Sequence, residues 1–151
     1  MAVFSRAYRH LMGVILCLVG FSLVGCNVIQ VATYDPSSFQ LMQQIDRSID
    51  KLYLSMSAKP QDHRNYSQFA SQYLDIQVQI RSLVRLQMFR KNNSETLKQS
   101  QILENLWQSG RQEHQSKGTL SNVIIRLRQS QYQRMLSTLM KGESLKPHQG
   151  A

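Results

Sequence analysis

The chain has 151 residues, 42% of them hydrophobic, with 18 Lys and Arg against 9 Asp and Glu and a formal net charge of +9. That length holds one domain of ordinary size and excludes two. Its two cysteines, Cys17 and Cys26, exclude a disulfide-rich scaffold and leave residues 27–151 without a thiol for a metal site or a nucleophile.

Residues 1–25 have the three zones of an export signal. Arg6, Arg9 and His10 are cationic, Leu11 to Leu23 (LMGVILCLVGFSL) is apolar, and small Gly25 precedes Cys26. The apolar run is shorter than the roughly 20 residues a spanning helix needs, and polar Asn27 follows at once. Leu23-Val24-Gly25-Cys26 resembles the lipobox of bacterial lipoproteins. That resemblance implies a diacylglycerol on the Cys26 thiol, cleavage before Cys26, and acylation of the new amine. Two or three acyl chains hold firmly, since each buried methylene contributes about 0.8 kcal/mol. The resemblance also implies an envelope location, and Asn27 in place of Asp beside the cysteine points to the outer membrane, facing the periplasm.

Cleavage removes Arg6 and Arg9, so the 18 basic residues fall to 16 against 9 acidic ones, a formal +7. This balance suits phospholipid head groups, lipopolysaccharide phosphates or an acidic envelope protein. Export argues against nucleic acid, the usual partner of a basic domain.

Residues 26–35 read as the lipidated cysteine and a spacer, in which Val28, Ile29 and Val31 could rest on the membrane or the domain. Asp35-Pro36 reads as a helix start, Asp35 as cap and Pro36 at the first helical position. Met42, Ile45, Ile49, Leu52 and Met56 then recur at steps of three and four. This helix should end near Ala58, before Lys59-Pro60. A second helix is expected from about Tyr66 to Lys91, with Phe69, Tyr73, Ile76, Ile80 and Leu83 inside and Val84 and Met88 widening the face. Asn92 with Glu95 fits a capping box opening a third helix, which carries Leu97, Leu103, Leu106 and Trp107, is expected to fray after Gly110, and ends before Gly118. A fourth should start near Thr119 or Ser121, its inner line Leu120, Ile124, Leu127, Met135 and Leu139. Residues 142–151 read as a loose tail. Four amphipathic segments with short links predict an all-α, antiparallel up-down four-helix bundle over residues 36–141. A coiled-coil oligomer competes, but the turn signals at Lys59-Pro60, Asn92-Asn93 and Gly118 favour folding back; oligomeric state is left open.

Candidate chemistry is sparse. His63, His114 and His148 lack metal-ligand spacing. Glu104 and Glu113 lie nine positions apart, about 13 Å along a helix, too far for a glycosidase-type pair. No nucleophile elbow or glycine-rich phosphate loop occurs. These patterns predict no enzyme, no metal and no cofactor. Arg81, Arg85, Arg90 and Lys91 gather toward the end of the second helix beside Phe89. They complement the negative end of its dipole, or they form a docking face for an anionic partner. Trp107 reads as core packing against the second helix, and Tyr66 and Tyr73 as bundle filler with hydroxyls near the rim.

Tyr34-Asp35, Tyr73-Leu74-Asp75-Ile76 with Arg81 and Arg85, Asn92 through Thr96, His114 and Gly118 make most of the mature chain resemble small uncharacterised proteobacterial lipoproteins. The resemblance implies a recurring helical lipoprotein domain and transfers no activity. Three roles fit: a noncatalytic envelope interaction or structural module, a pilotin-like assembly factor for a secretion or pilus system, and a bundle that binds a small ligand or lipid beside Trp107.

Overall fold

Four helices form where the apolar spacing calls for them: α1 (Pro36–Ser57), α2 (Tyr66–Met88), α3 (Ser94–Lys117) and α4 (Asn122–Ser144). They belong to a computed structural model that describes residues 30–148; the leader of residues 1–25, Cys26, Asn27, the spacer residues Val28 and Ile29, and residues 149–151 lie outside the described residues. Each helix packs on two neighbours, α1 on α2 and α4, α3 on α2 and α4. Cross-helix contacts run in opposite numbering. Ser38 meets Gln87 and Ser48 meets Gln79 between α1 and α2, while Glu113 meets Arg128 and Leu106 meets Tyr132 between α3 and α4. The described residues therefore form an all-α antiparallel four-helix bundle.

The helix ends follow local chemistry. The Asp35 carboxylate accepts from the Ser37 and Ser38 N–H groups at 3.1 Å, with Pro36 at the first position. α1 stops at Ser57, before Lys59-Pro60, and a short 3-10 turn, Gln61–His63, leads into α2. Gly118 ends α3 at φ +75, a left-handed value that a Cβ would strain. Its carbonyl accepts from the Tyr66 N–H at 3.0 Å, which joins that turn to the start of α2. Ser121 caps α4 through the Ile124 N–H.

Besides the end of α2 at Met88, short of the expected Lys91, two boundaries differ from the sequence expectation. The cap of α3 is Asn93, not Asn92, which takes φ +55 and reverses the chain after α2 ends at Met88. The Asn93 side chain makes no capping bond because its amide is used elsewhere, donating to Gln87 Oε1 and accepting from Lys146 Nζ. The second difference is the tail. α4 continues to Ser144, and Glu143 and Lys146 are buried, so residues 142–148 belong to the bundle. At the other end of the chain, Ala32 is buried and its N–H donates to the Asn92 carbonyl, while the Tyr34 N–H donates to the Pro147 carbonyl. The spacer is thus pinned to the domain from residue 32.

The core is centred on one aromatic side chain from each helix: Tyr53, Tyr73, Trp107 and Tyr132, all fully buried. Tyr73 and Tyr132 lie 5.2 and 5.4 Å from Trp107 by ring centroid, and Tyr53 stacks on Tyr132 at 5.9 Å. Trp107 Nε1 donates to the Tyr73 carbonyl and Tyr132 Oη to the Leu106 carbonyl, while the buried Tyr53 hydroxyl has no hydrogen-bond partner among the described residues. Burial raises all three phenols, Tyr132 to about 12, so the layer is uncharged near neutral pH.

This layer corrects the reading of α3 and α4. Helix α3 does not fray at Gly110; it runs on to Lys117. Gly110 leaves room for Tyr132, whose hydroxyl would lie 2.6 Å from a Cβ placed there. Seating Tyr132 turns α4 so that Ile125, Tyr132, Leu136 and Leu139 face inward, and Leu127, expected inside, is exposed. Met88, expected to widen the inner face of α2, is also exposed.

A Gly110→Ala change should cost about 1–3 kcal/mol by overpacking, measured by urea unfolding. Adding Tyr132→Phe removes the colliding oxygen, so the double variant should lose less than the two single losses combined; strict additivity would count against this contact.

Candidate functional site

The outer side of α2 carries Leu74, Val78, Arg81, Arg85 and Met88 at alternating steps of four and three, which places them along one exposed stripe. Arg81 remains 64% exposed although its Nε lies 3.8 Å from Glu104 Oε1. Arg85 donates to Ser82 Oγ on its own helix. Lys91 is exposed in the turn that follows. Beside the stripe, α2 and α3 border a groove of about 420 Å³, where Arg81 and Arg111 stand among Gln77, Gln108 and Gln112.

Arg90 does not share that face. Its side chain is 13% exposed and turns into the end of the bundle, where Nη2 and Nη1 donate to the two oxygens of Glu143 at 2.8 and 3.0 Å. It also donates to the Thr33 carbonyl and to Gln87 Oε1. The change of helix direction after Met88 separates Arg90 from Arg85. Of the four cations grouped by sequence, Arg81 and Arg85 share one face, Lys91 lies beyond it, and Arg90 is internal.

Glu143 is the centre of a buried polar cluster. Besides Arg90 it accepts from Lys146 Nζ at 2.6 Å and from the Asp35 backbone N–H at 2.9 Å. Lys146 extends the cluster to Asn93 Oδ1 and Thr96 Oγ1. Burial alone would raise the Glu143 carboxyl, but the bonds from Arg90, Lys146 and the Asp35 N–H outweigh it and hold the group below its ordinary range. The sequence reading missed Glu143 and Lys146 by assigning both to a tail. The available signal was spacing: Tyr132, Leu136, Leu139 and Glu143 continue one inward line.

Several other ionisable groups are also held by contacts within the fold. His114 is buried, its Nε2 2.8 Å from the Arg64 carbonyl and its Nδ1 3.1 Å from Tyr73 Oη. A carbonyl only accepts, so Nε2 carries the proton and Nδ1 accepts from the tyrosine. Burial lowers the His114 ring below its usual range, more than the Arg64 bond raises it. Glu113 is lowered by its bonds to Lys117 and Arg128. Glu104 meets Arg81 and Gln77. His63 is exposed beside Asp62, and His148 packs on Tyr34. Among the described residues, no three His, Cys, Asp or Glu side chains group to hold a metal ion, and no helix is long and apolar enough to cross a membrane.

No protein-family model, curated protein or solved structure matches this chain.

A Glu143→Gln change strands Arg90 and Lys146 beside each other and should cost about 3–5 kcal/mol, read by urea unfolding at neutral pH. Because the folded carboxyl is depressed, its contribution is whole above the ordinary carboxylate value of about 4.3 and is lost as pH falls through the folded value. Wild type should therefore lose more stability between neutral and strongly acid pH than Glu143→Gln; equal losses would contradict the pairing. His114 acts at higher pH. Its folded value is depressed, so the unfolded chain takes the proton first and stability should begin to fall below about pH 6.5. A His114→Phe variant that keeps the fold should lack this first decline.

Proposed function

We propose that this chain is a lipid-anchored protein of the bacterial envelope, held by acyl chains on Cys26, and that its four-helix domain is a noncatalytic interaction module. The observation that carries the second half is the outer stripe of α2, where Leu74, Val78 and Met88 stay exposed among Arg81 and Arg85. Such a surface suits an envelope protein that offers an apolar strip flanked by carboxylates. The interior supports a noncatalytic reading, because His114 and Glu143 already have bonding partners within the fold. Trp107, enclosed by Tyr73 and Tyr132, supports a packing role over ligand stacking. Asn27 after the cysteine favours the outer membrane, with the domain in the periplasm.

Mass spectrometry of protein made in a bacterial host should find residues 1–25 removed and fatty acid on Cys26; an intact leader without fatty acid would overturn the anchor. For the module, the partner recovered from detergent-solubilised envelopes should be lost severalfold with Arg81→Glu/Arg85→Glu protein whose circular dichroism is unchanged. Undiminished recovery would exclude this face.

A further inference from the structure

The end of the bundle where residue 31 enters carries three exposed apolar side chains from three parts of the chain. Phe89, the residue after α2, is 87% exposed; Leu145, the residue after α4, is 74% exposed; Val31 is 52% exposed. They share one end because Ala32 bonds to Asn92, Tyr34 to Pro147 and Arg90 to Glu143. One helical turn behind each helix-end residue stands an exposed cation: Arg85 behind Phe89, and Lys141 behind Leu145. Lys91 and Lys98 add positive charge there. Of the acidic groups at this end, Glu143 is buried in its ion pairs and Asp35 caps α1, which leaves Glu95 exposed.

We infer that this end docks on the membrane: an anionic phospholipid surface receives Phe89, Leu145 and Val31, and its phosphates meet Arg85 and Lys141. The inference rests on the lipid anchor proposed above. The six residue steps from Cys26 to Ala32 span about 20 Å at most, less than the roughly 33 Å length of α1. The tether therefore holds this end, and not the opposite one, at the lipid. The spacing suits the bilayer edge. Apolar side chains on interfacial elements enter by about 5–10 Å, and a cation one turn back lies about 6 Å behind them, at the level of the head groups. Apolar tips with basic residues behind are the chemistry of an anionic lipid surface.

The test uses the acylated protein in vesicles of phosphatidylethanolamine and phosphatidylglycerol, with and without bromine on the acyl chains. Trp107, the single tryptophan, is fully buried and gives a constant background. Phe89→Trp, and independently Leu145→Trp, should gain emission that brominated lipid quenches. Arg85→Glu/Lys141→Glu in the same background should weaken that quenching severalfold, as should replacing phosphatidylglycerol by phosphatidylcholine. Protein that sediments with vesicles but shows no added quenching in either tryptophan variant overturns the docking and leaves the anchor standing. Emission that changes with protein concentration and ignores bromine assigns the end to a second copy of the chain, and also overturns it. If the protein made in a bacterial host carries no fatty acid and fails to sediment, the anchor and the docking fall together.

Discussion

One carboxylate, fully withdrawn from water, ties the bundle together. Glu143 receives Arg90 from the turn after α2, Lys146 from the segment after α4, and the Asp35 N–H from the start of α1. Lys146 carries the connection to Asn93 and Thr96 at the start of α3. A buried ion cluster of this kind adds little net stability over an apolar filling, because desolvation offsets the attraction. Its larger effect is on alternatives. Four amphipathic helices of similar length can pack with shifted register or rotated faces at similar apolar burial. Any such shift would leave a charge inside without its partner, which is far more costly than a misplaced leucine.

The aromatic layer limits the same freedom by shape. Tyr132 must lie over Gly110 to bring its hydroxyl to the Leu106 carbonyl, and no other position in α3 is a glycine. Trp107 then fits between Tyr73 and Tyr132. Further along, the neutral His114 links α3 to Tyr73 on α2 and to the Arg64 carbonyl in the turn before it. Arg64 itself reaches the Leu120 carbonyl, so the turns before α2 and before α4 are joined. Ion pairs thus fix one end, ring packing the middle, and a neutral imidazole with a buried arginine the other end.

What could be read in the sequence divides along physical lines. Helix α1 was legible in full, since Met42, Ile45, Ile49, Leu52 and Met56 form one clean apolar stripe and Asp35-Pro36 marks its start. The bundle followed from four such stripes and their turns. Helix α4 was misread because its inward line depends on a tyrosine and ends in a glutamate, while Leu127 offered a more apolar and wrong choice. Only the partners of Tyr132 and Glu143, which lie on other helices, decide that line. Gly110 looked like a weak point for the same reason: a glycine's use is visible only with the ring that covers it. Among the basic residues, Arg81 and Arg85 are four apart on one helix, so their shared face was readable; Arg90 lies past the helix end, where helical spacing no longer applies.

The internal use of Arg90 changes how the charge of this protein should be viewed. Arg90 is drawn inside beside Glu143 and does not stand on the exposed face of α2, so the basic stripe is narrower than the grouping in the sequence suggests. The same cluster also grips the incoming chain, because Arg90 holds the Thr33 carbonyl and residues 32 and 34 bond to Asn92 and Pro147. On the proposed anchor, a pull at Cys26 would be borne by that cluster within a few residues of the lipid. The α2 stripe runs along the side of the bundle. A domain held end-on, with Arg85 at the lipid, would then present Leu74, Val78 and Arg81 sideways, to a partner standing beside it on the same membrane.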